Sequence, residues 1–136
     1  MIFEKIIPER LDSWSRENNR RAQEILPEIV ARLVLSSFNQ IKDFNFPYGK
    51  GIQFPGYDGY LNVDESTNYI TQGVSVFEFG TNENILNKFD EDIKKRSENP
   101  LNITKETTNF IFVSSKIWKH KTSIPDKIIE TKKNYT

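Results

Sequence analysis

The chain has 136 residues, with 19 Lys plus Arg against 19 Asp plus Glu, so its formal charge is zero, and it carries no cysteine and a single histidine. That length is one domain, the charge balance gives no global pull toward nucleic acid while leaving room for a local patch, and the Cys and His counts exclude disulfides, thiolate metal sites and a multi-histidine zinc centre within the chain. No stretch approaches the ~20 apolar residues of a membrane span, and residues 1–10, MIFEKIIPER, lack the apolar run of a signal peptide, so a soluble cytoplasmic protein is the expectation.

In chain order, residues 9–25 read as a polar helix carrying Leu11 and Trp14, and Pro27 is expected to start or kink the next helix. From there EIVARLVLSSFNQI puts Val30, Leu33, Val34, Phe38 and Ile41 at helical spacing, one apolar face. YGKGIQFPG, residues 48–56, supplies turn residues around a short strand. YLNVDE (60–65) and YITQGVSVFEFG (69–80) read as two strands joined by a polar turn at Ser66-Thr67-Asn68. The second has apolar or small side chains on both faces near its end, which predicts a central strand covered on both sides.

Asn82 is placed to cap a helix over 83–97, with Glu83 in the first turn, where negative charge suits the dipole. Ile85, Leu86, Phe89 and Ile93 form its apolar face; at ~100° per residue Asp92 and Arg96 fall near Ile85, and Lys88 falls at the edge. Asn99-Pro100 ends that helix, NFIFVSS (109–115) is a further strand, and IPDKIIETKK opens a last helix. Phe38, Phe44, Phe77, Phe79, Phe110 and Phe112 read as core. The expected fold is therefore mixed α/β (α+β): helix, three strands, helix, strand, helix, with an antiparallel hairpin and a crossover that permits a parallel fourth strand. A helical segment, 1–26, precedes a core over 27–120, and a tail, 121–136, leads toward a downstream region.

The chemistry gathers on three residues. Asp58 opens one hairpin strand and Glu78 ends its partner, so an antiparallel pairing brings the two carboxylates together. An all-oxygen pair suits Mg²⁺ or Mn²⁺, and a cation beside an otherwise apolar strand offsets the cost of a carboxylate there. Lys88, on the helix that leaves Glu78 through a short loop, is placed to reach back as the cation that orients water or stabilises phosphate charge. The alternative for Lys88, Asp92 and Arg96 is a salt-bridged helix flank. Lys116, Lys119 and Lys121, with Lys132 and Lys133 behind them, form a basic tail able to contact phosphates. No GxxxxGK[ST] is present, so the chain is not itself an NTPase.

These segments together, AQEILPEIVARLV (22–34), PGYDG (55–59), GVSVFEFGTN (73–82), KFDEDIKKR (88–96) and TTNFIFVSSKIW (107–118), resemble the PD-(D/E)xK nuclease superfamily, more narrowly the nuclease-like N-terminal domains of large bacterial proteins of the antiphage-defence type. The resemblance implies a restriction-endonuclease-like αβββαβ core, with Asp58 as the metal-binding aspartate and Glu78 as the acid of the (D/E)xK element. The lysine of that element ordinarily stands two residues on, where this chain has Gly80; in the domains it resembles, the role has moved to the position of Lys88. Glu28 matches a first-helix glutamate that assists the metal in some members, and its place near a helix start equally suits the dipole. Asp92 and Arg96 become supports or phosphate contacts. The activity implied by the resemblance is that of a Mg²⁺- or Mn²⁺-dependent endonuclease, with DNA ahead of RNA as substrate, acting as the effector of a larger protein whose downstream domains and further copies are its partners. Two alternatives stand beside it: a catalytically silent fold of the same ancestry that binds nucleic acid or aids assembly, and an unrelated α/β interaction module in which Asp58 and Glu78 cap turns and pair with Lys or Arg.

Overall fold

The computed structural model describes residues 8–47 and 56–135. Its elements run α1 (Pro8–Glu17), α2 (Asn19–Ser37), β1 (Asp43–Asn45), β2 (Gly59–Val63), β3 (Gly73–Gly80), α3 (Ile85–Glu98), a 3₁₀ turn (Lys105–Thr107), β4 (Thr108–Ser114) and α4 (Ile124–Tyr135). The four strands form one open sheet in the order β1-β2-β3-β4, antiparallel at the first two junctions and parallel at the third. The parallel step needs a crossover, and α3 supplies it. No helix among the described residues is long and apolar enough to cross a membrane.

Three expectations meet a different outcome. The first break between helices falls at Asn18 and not at Pro27, which lies inside α2. Pro27 leaves the carbonyl of Gln23 without an intrahelical partner, but Gln23 is exposed to water, and the burial of Ala22, Leu26, Ala31 and Val34 holds the helix through the proline. The same helix stops at Ser37, because Phe38 turns extended (φ −123°, ψ 136°). Leu33 is consequently solvent-facing, and Ile41 reaches the core from the following segment. The first strand is Asp43–Asn45; the strand expected within 48–56 falls almost wholly outside the described residues. Lastly, Asn84 rather than Asn82 caps α3, its side chain accepting from the Asn87 amide at 3.1 Å, and Glu83 lies before the helix.

Alternation along β3 sorts the core into two layers. Phe77 pairs with Gly59 and packs with Leu61, Val63, Phe46, Phe38, Val34 and Ala31 beneath α2. The Phe46 ring meets Phe77 edge-on at 4.8 Å. Val76, Glu78 and Gly80 project to the opposite face, where α3 lies and Phe89 meets Phe112 edge-on at 5.4 Å. β3 is thus covered on both sides, as its sequence predicts. The 66–72 turn is closed by Thr67 Oγ1, which accepts from the Tyr69 and Ile70 amides, and by Ser66 Oγ, which accepts from Gln72.

The tightest part of the α2 layer is at Gly59, where a Cβ would lie 2.5 Å from Phe46 Cε1 and 2.7 Å from its Cδ1. Phe46 is held against Phe77 and has nowhere to retreat. Gly59→Ala is expected to destabilise the domain by about 1–3 kcal/mol, read as a lowered urea midpoint with unchanged m-value; an unchanged midpoint would contradict this packing.

Candidate functional site

The hairpin register brings the sequence-predicted acids together. Asp58 immediately precedes β2; its amide donates to the Phe77 carbonyl at 3.0 Å and its Oδ2 accepts from the Phe79 amide at 2.9 Å. Those bonds hold its carboxyl against β3, opposite Glu78 in the hairpin register, and its charge and hydrogen bonding help raise the Glu78 pKa. Glu78 is 4% exposed. Its Oε1 accepts from Arg96 Nε at 2.7 Å, and the arginine is itself buried.

Arg96 is fixed from three directions. Its guanidinium lies over the Tyr57 ring, 4.6 Å from the centroid. Its Nη1 sits 2.9 Å from where a Cβ at position 56 would be, so Gly56 (φ +80°) provides both the left-handed turn and the space. Tyr57 is buried and donates from its hydroxyl to the Pro100 carbonyl at 3.1 Å, tying the Gly56–Asp58 segment to the end of α3. Burial is also the main cause of the raised Tyr57 pKa.

Lys88, Asp92 and Arg96 form one stripe along α3, as the helical wheel predicts, with Asp92 and Arg96 buried. Lys88 Nζ donates to Asp92 Oδ1 at 3.0 Å, while Asp92 Oδ2 is buried without a hydrogen-bond partner among the described residues. The helix flank of internal salt bridges is therefore real for Lys88–Asp92, whereas Arg96 reaches across to the sheet.

Gly80 explains why no lysine stands two residues after Glu78. A Cβ there would lie 2.7 Å from Phe112 Cζ, 2.9 Å from Ile85 Cδ1 and 3.2 Å from Lys88 Cγ. The stem of Lys88 thus passes over the space that a side chain at position 80 would need.

Other sequence-predicted residues lie elsewhere. Glu28 accepts from Arg32 on its own helix at 3.0 Å, and α2 covers the face of the sheet opposite Glu78. Lys119 and Lys121 are exposed, but Lys116, expected with them on a phosphate-contacting surface, has a side chain only 3% exposed and lies 3.8 Å from Glu83. Sequence reading missed the reason, a buried polar knot that fastens α1 to the end of β4. Asp12 accepts from Arg16 Nε and from the Ile117 amide, both at 2.7 Å, Ser15 and Ser115 share a 2.6 Å hydrogen bond, and Arg16 also holds Glu83 at 2.8 Å. The Arg16 and Ile117 bonds hold the Asp12 carboxyl below the usual carboxylate range. Nothing local marks this knot, since Asp12 and Ser115 are over a hundred positions apart; Tyr57 was missed for the same reason.

The Asp58–Glu78 pair fits a hard divalent cation. The donors are all oxygen, and each carboxyl keeps one oxygen engaged by the protein, by the Phe79 amide or by Arg96. Among the described residues no group of three or more His, Cys, Asp or Glu gathers, so water and phosphate would complete the shell, the habit of Mg²⁺. Burial pushes the Glu78 carboxyl up to about 7; Arg96 pulls it down, and the Asp58 carboxyl raises it again. Near neutral pH the Glu78 carboxyl is therefore only partly ionised.

Comparison with family models, with curated proteins and with solved structures finds no match.

The raised Glu78 pKa has a thermodynamic sign. Unfolded, the group releases its proton near 4.5; folded, it holds the proton to about 7. Its contribution to stability is therefore full below pH 4.5 and is lost as pH rises through 7. Glu78→Gln, which keeps the amide oxygen for Arg96, should be little changed relative to wild type at pH 4.5 and progressively more stable toward pH 8 in metal-free urea unfolding. A stability difference constant across that range would contradict the assignment.

Proposed function

We propose that the chain is a metal-dependent nuclease domain that hydrolyses phosphodiester bonds, with DNA as the favoured substrate, on a restriction-endonuclease-like core. The observation that carries this reading is the hairpin register that sets Asp58, bonded to the Phe79 amide, opposite Glu78, with the stem of Lys88 close above Gly80. Asp58 and Glu78 would hold Mg²⁺ or Mn²⁺, which when bound supplies Lewis acidity toward a phosphate oxygen and a water.

The chain's own residues do the rest. The Phe79 amide and the Arg96 guanidinium orient the two carboxyls, limiting what must reorganise when substrate arrives. Asp92 holds the Lys88 ammonium near the end of β3, and Lys88, 28% exposed, turns from Asp92 toward an incoming phosphate or attacking water. The resemblance in sequence extends the proposal to an effector domain of a larger cytoplasmic defence protein, working with downstream domains and further copies of itself.

A second reading, a silent nuclease-like fold that binds nucleic acid or aids assembly, is favoured by one observation: the buried Arg96 already engages Glu78 Oε1 at 2.7 Å. The two readings part on plasmid DNA with Mg²⁺ or Mn²⁺, at protein concentrations that allow self-association. A nuclease should cut with wild type, lose all cutting on chelation or in Asp58→Ala, and slow by about 10²–10³-fold in Lys88→Ala. Absence of cutting, together with Mg²⁺-independent DNA retention in a gel shift, would support the silent fold instead.

A further inference from the structure

The sheet ends in two unlike borders, a feature independent of the nuclease reading. At β1 the border is three residues long, Asp43–Asn45, and Asp43 puts a charge on it, a common guard against pairing with another chain. At β4 it is seven residues long, Thr108–Ser114, all uncharged, in unbroken parallel register with β3 on the inner side. Among the described residues the backbone of β4 pairs with β3 alone. All seven side chains stay half-buried, whereas Ser75, Val76, Phe77 and Glu78 of β3 are buried. Phe110 and Phe112 stand beside Val76 and Glu78, on the α3 face; Ile111 stands beside Phe77, on the α2 face.

The order of residues along β4 singles out the partner. TNFIFVS reads nearly the same in both directions about Ile111: a hydroxyl at each end and a phenylalanine on each side of the centre. An interface between two copies about a two-fold axis must be self-complementary in this way, whereas an unrelated extended peptide would need no such symmetry. With the axis at Ile111 and perpendicular to the sheet, two β4 strands run antiparallel. Thr108 then faces Ser114 of the second copy, Asn109 faces Val113, Phe110 faces Phe112, and Ile111 faces its own equivalent. That axis keeps like faces together, so both Phe110–Phe112 pairs fall on the α3 face and the isoleucine pair on the α2 face, each joining the layer it already belongs to. Aromatic pairs across strands are among the favourable ones, and no like charges oppose each other. Phe110 and Phe112 also share a groove with Ile124 and Ile128 of α4, which remain 52% and 47% exposed, so a second copy meets apolar side chains beside the strand as well as backbone.

We propose that two copies of the chain associate edge to edge through β4, antiparallel and in register about Ile111, so that their two four-stranded sheets become one continuous sheet. The association closes on itself. It uses up the long border of each copy and leaves only the short, charged β1 borders outside, so the product is a dimer and not a fibre.

The test combines sedimentation of the whole chain, from low to high micromolar concentration, with cysteine cross-linking. Sedimentation of the wild type is expected to show a reversible monomer–dimer equilibrium and no larger species. The chain has no cysteine of its own, so an introduced one reports alone. Thr108→Cys and Ser114→Cys sit at the two half-buried ends of the strand and leave Ile111 and both phenylalanines untouched; far-ultraviolet circular dichroism checks that each variant folds. Directly opposed residues of an antiparallel pair lie near the span of a disulfide. Mixed in equal amounts under mild oxidation, the two variants should therefore cross-link to a dimer. Each alone should stay uncross-linked, because the register sets equal positions at opposite ends of the pair. A monomer at every concentration, growth beyond the dimer, or a mixture that cross-links no faster than either variant alone would overturn the proposal.

Discussion

The Glu78 carboxyl lies near the end of a covered strand, held at 2.7 Å by the Arg96 guanidinium and set opposite Asp58 by the hairpin register. Burial of a carboxyl costs free energy unless its hydrogen bonds are met, and loss of Arg96 would leave Glu78 without its donor. The surroundings are accordingly built to keep Arg96 in place. Tyr57 lies against its cationic face, Gly56 makes room for its tip, and the Tyr57 hydroxyl ties that turn to Pro100. The position of Asp58 depends on the same clamp, because it is the next residue in the chain. Geometry at the acid pair and anchoring of the C-terminal half of α3 are thus one problem with one solution.

That solution dictates what lies at the other end of the helix. With Arg96 fixed on Glu78, the positions one and two turns earlier, Asp92 and Lys88, must run back along the end of β3, and the Lys88 stem comes to rest against Gly80. The small residue at position 80 is required by Phe112 on β4 together with Ile85 and Lys88 above it. The orientation of the Lys88 ammonium depends on Asp92, which holds it at 3.0 Å.

Much of this arrangement is legible in the chain itself. The period of α3 alone puts Asp92 and Arg96 beside Ile85, and burial agrees. Hairpin logic alone brings Asp58 to Glu78, because a register that pairs Gly59 with Phe77 sets the residue before the one opposite the residue after the other. The crossover through α3 is long enough to permit the parallel placement of β4 that is found. What escapes is whatever depends on partners far along the chain. Pro27 reads as a break because local chemistry disfavours it, and four buried side chains on α2 override that preference. Lys116 reads as part of a basic surface because its neighbours in sequence are lysines, whereas its neighbours in space are Glu83 and the Asp12–Arg16 knot. The pairing of Arg96 with Glu78 is invisible to a wheel, which reports the face of a helix and not the residue that the face meets.

The strand β4 carries one further consequence. Among the described residues it has a neighbour on one side only, and its seven residues, TNFIFVS, include neither a charge nor a proline. Natural sheets ordinarily guard such a border with lysine, proline, a bulge or a covering segment. Here the amides and carbonyls along the outer side of β4 remain a template for another extended segment, and colloidal stability rather than folding free energy becomes the quantity that limits how concentrated the domain can be. A lysine at a side-chain position on that border would act on solubility through its charge while leaving the acid pair, one strand inward, untouched.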